Sequence, residues 1–155
     1  MSDPEPYPRI QMAILCDFAT VREGLLHVLG GGVSRIWRPR MPAPLGLTLA
    51  VLAEVAPERA QMPHEFKVQI VGPDEAVVAD MSGGFGVKPG PRPLRLEEGE
   101  GMLIPAVVPL LNVGVGRHGA YTLSATLDDA ATAVLRFWVL HPDEMSLPPL
   151  NLADP

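Results

Sequence analysis

Eighteen prolines and fifteen glycines are strewn along the chain from end to end, and they limit what it can become. Proline lacks a backbone donor and glycine carries a high conformational entropy, so both interrupt long helices. Between these interruptions lie short apolar runs built from Val, Leu, Ile and Ala, several with a period of two. The expected fold is all-β: an antiparallel β-sandwich, loosely immunoglobulin-like, with about eight or nine strands.

Strands are expected at residues 9–18, 24–29, 33–38, 46–55, 64–71, 76–81, 102–111, 120–127 and 133–140. In the third run Val33, Arg35 and Trp37 share one face, with Ser34, Ile36 and Arg38 on the other. In HEFKVQIV, Phe66, Val68 and Ile70 share a face, and in AYTLSATL so do Tyr121, Leu123, Ala125 and Leu127. Gly72-Pro73-Asp74-Glu75 closes a hairpin, and Asp128-Asp129 closes another. The run at 102–111 carries Pro105 and Pro109, which places it at a sheet edge or a bulge. The segment from Ser82 to Gly101 is expected to be an irregular loop, and a helical turn is allowed only around Glu58 to Ala60. Length suits one domain, residues 9–141, preceded by an extension at 1–8 and followed by a Pro-rich tail at 142–155.

Charge narrows the partners. The chain has a net charge of −6 and a pI near 5.1, with no basic stripe for nucleic acid and no polybasic patch for anionic lipid. No apolar run is long enough to span a bilayer. The single cysteine, Cys16, cannot form an internal disulfide, and the acidic, Pro-rich start lacks the features of a secretion signal. The expected location is the cytoplasm.

One stretch, GVGRHG at 114–119, fits the letters G-x-G-x-x-G. That fingerprint binds a pyrophosphate only when a helix follows and turns its N–H groups toward the anion. Here a period-two strand follows instead, so no dinucleotide is expected. Gly119-x-Tyr121 has a better reading: a glycine turn ahead of a tyrosine at the start of a late strand, the pattern of a tyrosine corner.

The other chemistry-bearing residues favour plain readings. His27, His64, His118 and His141 show no metal-ligand spacing, and Cys16 has no partner base that the sequence names. No serine sits in a G-x-S-x-G setting. Glu97, Glu98 and Glu100 read as a solvated loop. Gly30, Gly31 and Gly32 read as the hairpin turn between 24–29 and 33–38, since no Lys or Thr follows to make a phosphate loop. No catalytic residue, cofactor or metal is assigned.

Two stretches point outward. Arg35, Trp37, Arg38 and Arg40 gather cationic side chains and an indole near one strand end, and these residue types are enriched at binding hot spots. In the tail, Leu147, Leu150 and Leu152 are apolar residues on a Pro-broken segment and need a surface to dock on.

Residues 13–36, AILCDFATVREGLLHVLGGGVSRI, resemble the opening of a widespread bacterial, actinobacterial-type family of uncharacterised β-sandwich proteins. The resemblance continues at His64-x-Phe66, Gly119-x-Tyr121, Asp128 and Phe137-x-Val139 and stops before the tail. It implies a fold and no activity. The expected function is a non-enzymatic binding or assembly module whose partner is protein, either further copies of itself or another subunit. A small-ligand or carbohydrate-binding sandwich is the alternative, and an enzyme comes third.

Overall fold

Alternating burial builds the sheets. The computed structural model describes residues 7–88 and 95–144. They form β1 (Arg9–Arg22), β2 (Leu25–Gly31), β3 (Arg35–Trp37), β4 (Ala43–Pro44), β5 (Thr48–Val55), β6 (His64–Val71), β7 (Val77–Phe85), β8 (Met102–Pro109), β9 (Gly114–Val115), β10 (Gly119–Leu127) and β11 (Ala131–Leu140). One sheet has the order β2-β1-β5-β8 and the other β3-β11-β10-β6-β7, with β4 and β9 forming a short bridge. The fold is the expected all-β sandwich.

The core lies between the sheets. Leu15, Leu49, Val51 and Ile104 come from the first sheet, and Phe66, Val68, Ile70, Leu123, Phe137 and Val139 from the second. Each such side chain contributes about 1.5–3 kcal/mol by leaving water. β5 is buried on both faces. Its outer face carries Ala50 and Glu54, each covered by neighbours from the N-terminal part of the chain.

The tyrosine corner forms. Tyr121 is 1% exposed, and its hydroxyl donates to the carbonyl of Arg117 at 2.6 Å. Its ring stacks on Phe137 with centroids 5.3 Å apart. Gly119 precedes it at φ +137, and a Cβ there would sit 2.7 Å from Pro73 Cγ, so only glycine fits the bend. GVGRHG is β9, a loop and the start of β10, with no helix.

Several expectations are corrected. The run Gly30, Gly31 and Gly32 is not the hairpin turn. The turn is Glu23-Gly24, both at positive φ (53 and 75), as a tight primed turn requires. β1 therefore runs on to Arg22, Gly30 and Gly31 end β2, and Gly32 begins the crossing to the other sheet. Gly30, at φ +63, leaves the space its side chain would need to the Asp17 carboxylate. The described residues form eleven strands, more than expected because β4 and β9 are two-residue pairings too short to show a pattern. β3 pairs with β11 in parallel, against the otherwise antiparallel ladders. β7 extends to Phe85, into the segment expected to be a loop. Pro105 and Pro109 do lie on an edge strand, β8; the expected helical turn is a 3-10 turn at Pro57–Arg59, and a second, unexpected one lies at Pro142–Glu144.

The sandwich has two poles. β1 begins beside Glu54 at the pole that holds His64 and Asp128. β11 ends beside Trp37 at the opposite pole, where Arg38 and Leu45 close the bridge.

Candidate interaction surfaces

At the first pole a buried polar knot ties three segments. His64 opens β6 and is 2% exposed. Its Nδ1 lies 2.7 Å from Asp128 Oδ2, and its Nε2 lies 2.9 Å from the carbonyl of Arg59. Both facing atoms are oxygens that accept hydrogen bonds, so each ring nitrogen has a partner within the chain. Asp128 Oδ1 accepts from the backbone N–H of Glu65 at 2.8 Å. Burial raises the Asp128 pKa, but the bonds from His64 and Glu65 outweigh it and hold the carboxyl below its ordinary range. Every polar atom of the pair is already engaged within the chain, and the adjoining cleft, lined by Tyr7, Val55 and Arg59 among others, is only about 10 Å³.

Nearby, Glu54 is 6% exposed and receives side-chain hydrogen bonds from Arg9 and Gln11, with the Tyr7 hydroxyl 3.3 Å from Oε1. The Arg9 bond holds the Glu54 carboxyl below its usual pKa, against the opposing effect of burial. Among the described residues, no group of three or more His, Cys, Asp or Glu side chains is placed to hold a metal. No helix there is long and apolar enough to cross a membrane.

The second pole holds the residues singled out for interaction. Arg38 turns inward. Its guanidinium donates to the carbonyls of Pro44, Trp37 and Leu45 at 3.1, 2.9 and 2.7 Å, so it clamps the chain between β3 and β5. Trp37 is half-buried, and its buried Nε1 has no partner among the described residues. Arg40 is exposed. Arg35 is exposed on the edge strand and faces a residue the sequence reading passed over, Trp138, its register partner on β11. Arg136 lies two residues before Trp138 on the same outer face. The signal was present: with Phe137 and Val139 inward, alternation puts Arg136 and Trp138 outward. Leu147, Leu150 and Leu152 lie outside the described residues.

An exposed apolar surface lies elsewhere, on the β1–β2 hairpin. Phe18, Leu25 and Leu29 are 54%, 64% and 66% exposed. Phe18 pairs with Leu29, and Leu25 with Arg22, so all three side chains stand on one face, with Thr20 and His27 between them. The opposite face is anchored: Ala19, Leu26 and Val28 pack with Cys16, Ala50, Ile14 and Val107 on the outside of the first sheet. Cys16 is fully buried in this cluster, its Sγ 3.4 Å from the Thr48 carbonyl, and burial raises its pKa. The hairpin is thus held rigidly while it presents large apolar side chains to solvent.

A groove opens where edge strands β7 and β8 face each other. It measures about 230 Å³ and is lined by Phe66, Val68, Met81, Phe85, Ala106 and Val108 with the small residues Ser82, Gly83 and Gly84.

Two facing sheets, an inter-sheet core and a tyrosine corner define a β-sandwich domain. A family model matches residues 11–140, and the chain belongs to that family, a family of unknown function (DUF6941). The match takes in the whole β1–β2 hairpin and both sheets except the first two residues of β1. No curated protein matches the chain.

Proposed function

We propose that the protein is a non-enzymatic binding and assembly module of the cytoplasm that joins another protein surface through the β1–β2 hairpin. The observation that carries this reading is the apolar face of Phe18, Leu25 and Leu29, fixed in position by the packed face beneath it. Contiguous apolar side chains on a rigid element are costly to leave in water and favour a partner. The sheet orders support an immunoglobulin-like class. β1-β5-β8 opposite β11-β10-β6-β7 follows the A-B-E over G-F-C-C′ arrangement, with the tyrosine corner on the strand in position F. The likeness of residues 13–36 to bacterial sequences supports a bacterial setting. Arg35 with Trp138 offers a second, more polar contact point.

A second reading, a site for a small apolar ligand, is favoured by the groove between β7 and β8. The native mass of the purified protein at low micromolar concentration separates the readings. Assembly predicts a defined complex, of copies of this chain or with a co-purifying subunit. A clean monomer would count against assembly and direct attention to the groove.

A further inference from the structure

The sandwich has four sheet edges, and they are not alike. Exposed edges offer unpaired N–H and C=O groups to any other strand, and proteins blunt them with proline, charge or brevity. β8 carries Pro105 and Pro109. β3 has three residues and an exposed arginine. β7 carries the exposed charge of Asp80 in mid-strand. β2, Leu25–Gly31, reads LLHVLGG and has neither proline nor a charged residue. It is the terminal strand of its sheet, next to the exposed apolar face.

We infer that β2 is the seam of a homodimer, in which two copies pair their β2 strands antiparallel about His27. This rests on the assembly reading above and names its partner. The strand is self-complementary in that register. His27 meets its counterpart, Leu25 of each copy faces Leu29 of the other, and Leu26 faces Val28. Continued across the seam with the observed β1–β2 register, one face gives the row Phe18, Leu29, Leu25, Arg22 and the other Ala19, Val28, Leu26, Val21. Apolar side chains therefore meet apolar side chains on both faces. The contact is isologous and closes on itself.

In that register Arg22 of one copy falls in the row of Phe18 and Asp17 in the row that ends at Glu23, each three strands away, so no charged pair forms across the seam and apolar contact with backbone pairing carries it. A different protein would need its own match to an uncharged strand, whereas a second copy carries the match already.

The test uses the whole chain. Native mass spectrometry on the wild type at tens of micromolar is expected to show a dimer. Leu25→Lys with Leu29→Lys, at two exposed positions, is expected to weaken dimerisation by at least about 100-fold while keeping the circular dichroism of the fold. His27→Cys is expected to form a disulfide-linked dimer on mild oxidation, and Val134→Cys, also exposed but on the other sheet, is not. If the lysine variant fails to fold, the cysteine pair decides. A wild-type monomer overturns both this pairing and the assembly reading. A complex that withstands the lysines, contains another protein, or fails to crosslink at position 27 overturns the pairing and leaves assembly standing.

Discussion

Asp128 uses both carboxylate oxygens, one on the His64 ring and one on the Glu65 N–H, while its own backbone sits at φ 50. Asparagine tolerates that backbone angle, so Asp128→Asn removes charge without breaking the turn. At neutral pH the variant is expected to lose about 1–3 kcal/mol, because hydrogen bonds to a buried charge are the strong ones. The pH profile carries the sign. A carboxyl held below its ordinary pKa stabilises the fold above that ordinary value, near 4, and the benefit is lost as pH falls through the lower folded value. Urea midpoints from pH 7 down to 3 should therefore converge between wild type and variant. Parallel curves would show that the Asp128 charge is not the source. This pair was hidden in the sequence, since its members lie 64 residues apart and only the β6–β10 pairing joins them. Tyr121 was legible, because its hydroxyl reaches a carbonyl only four residues back.

Among the elements, the β1–β2 hairpin departs furthest from what its sequence suggests. Three consecutive glycines are a louder turn signal than Glu23-Gly24, yet the quieter pair has the geometry of a two-residue loop. Glutamate pays a steric cost at positive φ that asparagine largely avoids, so Glu23→Asn is expected to stabilise the protein by about 0.5 kcal/mol. For a domain of this size that is about 1–2 °C in Tm by differential scanning calorimetry. An unchanged or lower Tm would mean that the Glu23 side chain has a role beyond the turn. Strands with clean alternation, such as β6 at His64–Val71, were legible to the residue. β4 and β9 were not, because two residues carry no period and their pairing exists only through the loops around them.

Seen as a whole molecule, the sandwich guards its one thiol. Cys16 lies between the sheet and the folded-back hairpin, fully buried, with burial and the nearby Asp17 charge raising its pKa. It is expected to resist an aromatic disulfide reagent in the native state and to react stoichiometrically in urea, with a midpoint matching that of circular dichroism. Fast labelling without urea would show that the hairpin lifts off independently of the sandwich. The sandwich class was legible because strand periodicity is local. The surfaces were not, because exposure depends on which faces the two sheets turn toward each other. One consequence of the two poles is mechanical. The described chain enters at one end of the strands and leaves at the other, so tension applied through it runs along the strand axes. β1 and β11 then slide lengthwise against their neighbours, and the rungs of each ladder share the load, as the fibres of a spliced rope do.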